Sequence, residues 1–262
     1  MTLDASPTSV GSLPPGNLLE QLTFDHGPVE LLHRFVETAD LMIRERGVSV
    51  TLTGFDELVA VNRRNRASWA PILPIFDPAR GGAAPEDGLA LLGRDRDGSV
   101  VTAMAARHYL WPATSFAEEA RNLRLFHKDP ATGKLPGECC EVTSDGASLV
   151  SGRIAFVGAG WFRPDFRGRA LSGVMSRLTR TCAYLRWRTD FSTCFVAEPL
   201  FKARNSTHWN GFRNIDWSVD WIGGERGRMR FAFCWMRPAE LISDLGNFLE
   251  REQARDVPAR RA

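Results

Sequence analysis

The chain has 262 residues, of which 44% are hydrophobic, 24% charged and 10% aromatic, a balance that excludes disordered, fibrous and membrane-embedded classes in favour of an ordinary globular protein. Its 33 basic and 31 acidic residues leave a formal charge of +2. That is too small for the global field by which a protein coats nucleic acid or a membrane surface, so any anion recognition must be local.

Five cysteines, Cys139, Cys140, Cys182, Cys194 and Cys234, are odd in number and form no Cys-x-x-Cys pair, which signals neither a disulfide framework nor a metal site. Residues 1 to 20 lack a signal-peptide pattern, and no run reaches the roughly 20 apolar residues of a membrane span. The expected setting is a reducing cytoplasm, with no membrane or nucleic-acid partner and no metal.

Residues 1–17, rich in Ser, Pro and Gly, read as a loose arm. From Pro28 to Arg46 the residues Leu32, Phe35, Val36, Ala39, Met42 and Ile43 recur at helical spacing, which predicts an amphipathic helix stopped by Gly47. Val48–Leu52 reads as a strand and Asp56–Ser68 as a helix. Residues 70–87, with four prolines and a Gly-Gly pair, read as a loop positioned to cross a site. Leu89–Arg94 and Val100–Tyr109 are joined by a hairpin signal at Arg96-Asp97-Gly98, and Ser115 caps a helix to about Phe126. Residues 128–137 read as loop.

The second half reads strand 153–162, helix 169–187, strand 191–197, short helix 201–209, strands 214–221 and 228–236, and a closing helix 238–249. This order predicts an α/β mixed sheet. The organisation is an N-terminal arm and helix (1–47), one domain over 48–250, and a polar flexible tail (251–262).

The segment with the clearest chemical content links strand 153–162 to helix 169–187: Trp161-Phe162-Arg163-Pro164-Asp165-Phe166-Arg167-Gly168-Arg169-Ala170-Leu171-Ser172-Gly173. The first-turn amides of such a helix have no internal partners and carry partial positive charge. Small residues at 168, 170, 172 and 173 let a diphosphate approach the backbone, and Arg167 and Arg169 add full charges. An ordinary strand-to-helix turn would use the same residue types.

This run resembles the acetyl-CoA-binding signature of the GNAT superfamily of N-acetyltransferases, Arg/Gln-x-x-Gly-x-Gly/Ala with a Pro three residues earlier. Arg167 holds the first place and Pro164 the proline; Ala170 stands where Gly is usual, and Ser172 where Gly or Ala is. Residues 205–212, ending in Gly211-Phe212, resemble the family's fourth helix and the Gly-Phe pair after it, and the element order over about 48–236 is similar to the family's. The resemblance implies a mostly antiparallel, twisted sheet with a splayed central strand pair, here preceded by an extra N-terminal helix.

It also implies acetyl-CoA or another acyl-CoA as co-substrate, held by Trp161, Phe162, Arg163, Arg167, Gly168, Arg169, Ala170, Leu171, Ser172 and Asn205. The implied reaction is direct attack by a small-molecule or peptide amine in a ternary complex. The family's usual base, a Glu on the central strand, has no counterpart in 153–162, and its usual Tyr acid is replaced by Thr207.

Glu198 and His208 are the candidates for catalytic proton transfer, although Glu198 would equally serve as a helix cap and His208 as a packed surface residue. His108, Tyr109 and the tryptophans at 161, 209, 217, 221 and 235 are candidates for an acceptor or acyl pocket, or for core. The alternative to an enzyme is a non-catalytic CoA-binding module with a degenerate site. Helix 28–46 is left to cover the cleft, to form a homodimer contact or to pack on the sheet.

Overall fold

The computed structural model describes residues 18–204, 210–224 and 226–256. Its helices are α1 (Val29–Glu45), α2 (Phe55–Arg64), α3 (Pro78–Gly81), α4 (Phe116–Arg121), α5 (Pro130–Gly133), α6 (Asp145–Leu149), α7 (Leu171–Trp187), α8 (Glu198–Arg204) and α9 (Pro238–Asp256). Its strands are β1 (Ser49–Thr53), β2 (Gly88–Arg94), β3 (Val100–Trp111), β4 (Cys139–Val142), β5 (Gly152–Phe162), β6 (Phe191–Ala197), β7 (Asn214–Gly224) and β8 (Gly227–Met236). They form one eight-stranded sheet in the order β1-β2-β3-β5-β6-β8-β7-β4. Every described pairing is antiparallel except β5 with β6. This is the mixed sheet that the element order predicts, mostly antiparallel as the family resemblance implies.

Strand alternation sends side chains to two cores. On one face Val157, Cys194, Val196 and Ala232 pack beneath α1, α7 and α9. On the other, Phe156, Phe231 and Phe233 pack with α2, α4 and a dense aromatic cluster. The helical pattern of α1 is used as its spacing dictates: Leu32, Phe35, Val36, Ala39 and Ile43 are buried against α7 and α9. The N-terminal helix thus packs on the sheet, in one core with α7 and α9.

Several boundaries differ from the expectation. The helix expected to reach Phe126 ends at Arg121, because Leu123 turns to a φ of +61°. Strand β4 and helix α6 were not anticipated, since four and five residues carry too little periodicity to register. Cys139 is exposed and Cys140 buried, as opposite faces of a strand require. The last helix continues to Asp256, so the segment expected to fray from Arg251 is helical over six residues, and 257–262 lie outside the described residues.

One ionic cluster fastens α7 to α9. Arg177 makes two 2.9 Å hydrogen bonds to the Asp244 carboxylate. The fully buried Arg180 reaches the same carboxylate at 3.3 Å, donates to the Asn210 carbonyl at 2.7 Å and lies 4.4 Å from the Phe212 ring centre. Burial drives the Arg180 guanidinium down to about 10, against the opposing pull of Asp244. Gly211, at a φ of +96°, has no room for a Cβ, which would fall 2.1 Å from Asp244. Removing Asp244 strands two guanidinium groups in the interior, so Asp244→Ala is expected to cost about 3–5 kcal/mol in chemical denaturation.

A second buried pair pins the connection between α5 and β4. The Glu138 carboxylate accepts from His127 Nε2 at 2.9 Å, Trp221 Nε1 at 2.8 Å and the Leu135 amide at 2.8 Å. Burial alone would raise its pKa, but these donors outweigh burial and hold it below the ordinary value of 4.5. A carboxylate depressed in the folded state contributes stability that is complete above its unfolded pKa and fades as pH falls through the folded one. Glu138→Gln should therefore cost about 1–3 kcal/mol at neutral pH, and the gap from wild type should close below about pH 4.5 in urea titrations at stepped pH.

Candidate functional site

The site begins with a break in pairing. Strands β5 and β6 run parallel and hydrogen-bonded from Ile154/Phe191 to Val157/Cys194. Beyond that point β5 continues along β3 and β6 along β8, so the two strands part. On β5 the register slips where Ala103 and Ala105 face Trp161 and Gly158, and Ala159 adopts a φ of +51°. This bulge interrupts the ladder beside the gap.

A cavity of about 960 Å³ opens through the gap. On the α7 side it is lined by Met104, Phe162, Phe166, Arg167, Gly168, Ala170, Leu171, Ser172 and Ser176. On the opposite side it is lined by Trp69, Ile72, Leu73, Phe76, Phe156, Trp161, Phe195, Met229 and Phe231.

The strand-to-helix turn faces this cavity. Gly168 has a φ of +79° with open space where a Cβ would be. Ala170, the residue before α7, is left-handed at +56° and gives the helix no side-chain cap, so nothing from position 170 blocks the first-turn amides of α7. A left-handed conformation costs an L-residue with a Cβ roughly 1–2 kcal/mol, which accounts physically for glycine being usual at this place in the signature.

Of the predicted cofactor-binding residues, Trp161, Phe162, Arg167, Gly168, Ala170, Leu171 and Ser172 line the cavity. Arg163 and Arg169 do not. Arg163 pairs with Asp165 at 2.7 Å and Asp95 at 3.0 Å, and Arg169 donates to the carbonyls of Arg46 and Asp165. Both guanidinium groups lie against the Phe166 ring, at 4.9 and 4.0 Å, so this aromatic face and its neighbouring acceptors hold the two charges away from the cavity. Arg167 lies at its rim, donating to the Phe162 carbonyl at 3.1 Å and the Ser68 carbonyl at 3.4 Å. Asn205 and His208 lie outside the described residues.

Glu198 starts α8 directly after β6 but does not line the cavity. It pairs with Lys202 at 2.7 Å, and that contact holds its carboxyl below the usual range, which weakens it as a base. Cys194, at the end of the parallel pairing, faces Cys234 across β6 and β8. Hydrogen bonding to Cys194 and burial raise the Cys234 thiol far above its ordinary value, so Cys234 is no thiolate nucleophile. Among the described residues no group of three or more His, Cys, Asp or Glu side chains is arranged to hold a metal ion, and no helix is long and apolar enough to cross a membrane.

Other candidates fall elsewhere. His108 stacks on Trp187 and contacts Asp87, and the buried Tyr109 donates to the Leu125 carbonyl. Trp221 stacks on Phe126, Trp235 packs beside Phe191 and Trp217 meets Phe201. Trp209 lies outside the described residues.

Sequence reasoning missed Trp69, Phe76, Ser176 and Arg226. Loop 70–87 was expected over a site, and its neighbour Trp69 stacks on Trp161 at 5.1 Å and 8°. That loop is fastened by Arg107, buried on β3, which donates to the carbonyls of Ile75 and Gly81, and by Asn62, which donates to the Ala70 carbonyl.

No protein-family model matches the chain, and no curated protein sequence matches it significantly. Solved structures similar to it include mutant forms of a spermidine/spermine N-acetyltransferase from Vibrio cholerae, at 8% identity and a TM-score of 0.43, with 75% of this chain and 97% of that one covered. An N-acyl amino acid synthase from uncultured soil microbes matches at 7% identity and a TM-score of 0.42, with 75% and 94% covered. NAA60 of Arabidopsis thaliana in complex with acetyl-CoA matches at 10% identity and a TM-score of 0.38, with 71% and 97% covered.

Proposed function

We propose that this protein is an acyl-CoA-dependent N-acyltransferase of the GNAT type, acting in the cytoplasm on a small-molecule or peptide amine. The observation that carries the reading is the parting of β5 and β6 at Val157/Cys194, with an uncapped helix start on one side of the gap and a continuous cavity through it. A diphosphate is matched by the amides of Gly168 to Ser172 and the charge of Arg167. The free edge of β5 beyond Val157 offers main-chain groups to an amide-bearing pantetheine arm.

In this reading the amine nitrogen attacks the thioester carbonyl directly. Its lone pair forms the C–N bond, the C–S bond breaks with its electron pair on sulfur, and the proton lost by the nitrogen ends on the thiol of CoA. In this reading a main-chain N–H released from the β3 ladder at the Ala159 bulge would serve the developing oxyanion as a fixed donor that needs no reorganisation. The enzyme's remaining work is to hold the two reactants in line.

The first test is thermal unfolding with acetyl-CoA, CoA and ATP. At about a hundred times its dissociation constant, a ligand specific for the folded state adds about 2.7 kcal/mol. Both CoA species should raise Tm where ATP does not. Arg167→Ala should weaken CoA binding roughly tenfold to a hundredfold, and no shift with either CoA species would sink the reading. Binding without transfer to any amine in a broad panel would leave a CoA-binding module.

For proton transfer, Glu198→Gln should keep kcat within about threefold, because Lys202 already holds that carboxylate. His208→Ala should lower kcat by about a hundredfold on the plateau above the pH at which the imidazole loses its proton, and by less on the acid side, where the wild-type base is already protonated. The reverse ranking would return the base role to Glu198.

A further inference from the structure

The cavity continues well past the gap in the sheet. Its far side is an aromatic chamber whose floor is a chain of ring contacts, Phe76 to Phe156 at 5.9 Å, Phe156 to Phe195 at 4.9 Å and Phe195 to Phe231 at 5.0 Å. The stacked pair of Trp69 and Trp161 stands beside it. Phe76 can lie on β5 only because residue 158 is glycine, whose added Cβ would fall 2.8 Å from the ring. Two side-chain polar groups border this chamber: Trp161 Nε1 donates to Ser68 Oγ at 3.2 Å, and Arg226 reaches the Pro71 carbonyl at 3.5 Å at the rim.

We propose that this chamber receives the acyl chain, and that the preferred donor carries a hydrophobic acyl group longer than acetyl. The inference rests on the acyltransferase reading above. Two features favour the acyl chain over the acceptor as occupant. The chamber and the helix start line one cavity, so a chain joined to CoA reaches the chamber directly from the thioester. Its walls are aromatic and aliphatic, which favours methylenes and penalises an ammonium group stripped of water. A lone acetyl methyl would leave most of these ring faces uncovered.

The test is calorimetric titration of the full chain with CoA and with acetyl-, butanoyl-, hexanoyl- and octanoyl-CoA. CoA and acetyl-CoA should bind alike, and affinity should then rise by up to about fourfold per added methylene until the chamber is full. Ala197→Phe, at the end of β6, and independently Leu73→Trp, from the loop, should each erase the gain while leaving the Kd for plain CoA unchanged.

Failure of CoA itself to bind would remove the acyltransferase reading. CoA binding with no gain along the series would overturn the chain-length inference alone, as would a gain that survives both variants. Tighter binding that arises only when an aromatic amine is added to CoA would assign the chamber to the acceptor and overturn the inference as well.

Discussion

Two parallel strands that stop pairing after four residues create a problem that the rest of the molecule is arranged around. Main-chain N–H and C=O groups need partners, and beyond Val157 and Cys194 the facing edges of β5 and β6 no longer supply them to each other. Each strand keeps its outer neighbour, β3 for β5 and β8 for β6, so the sheet stays continuous while its centre opens. A ligand with amide groups is the natural complement to such an edge, and the uncapped start of α7 complements an anion at the same opening.

Backbone strain is concentrated at this opening. Ala159, Ala170 and Asn210 all have positive φ without being glycine, and all three line the cavity. Such conformations persist only where surrounding contacts over-determine them. The β3 pairings of Gly158 and Trp161 flank Ala159, Ala170 directly precedes α7, and the buried Arg180 fastens the carbonyl of Asn210. The ionic cluster between α7 and α9 therefore serves the site as well as the core.

The two faces of the sheet divide the work. On the α7 side the small residues and backbone of the turn at 168–172, with Arg167 at the rim, suit a charged, polar ligand. On the far side it is aromatic, roofed by a loop that Arg107 and Asn62 hold through its carbonyls. Anchoring a loop by its backbone leaves the loop's apolar side chains free to shape the chamber.

Much of this was legible in the amino-acid sequence, for definable reasons. Period and capping marked α1, α7 and the long strands because those elements bury one face over many residues, and the run from Pro164 to Ser172 carried Arg167 and the small residues 168, 170 and 172 within one short segment. The short β4 and α6 were not legible, since so few residues hold no period. The fates of Arg163 and Arg169 depended on Phe166, Asp95 and Arg46, neighbours that only folding brings together. Likewise the aromatic chamber joins Trp69, Phe76, Phe156, Phe195 and Phe231 from loop and strands far apart in the chain. The sequence by itself determined the elements and the local turn chemistry, because these follow from short-range sterics and hydrogen bonding. Tertiary structure alone decided which charges reach the cavity and what lines its far side, because those depend on long-range packing.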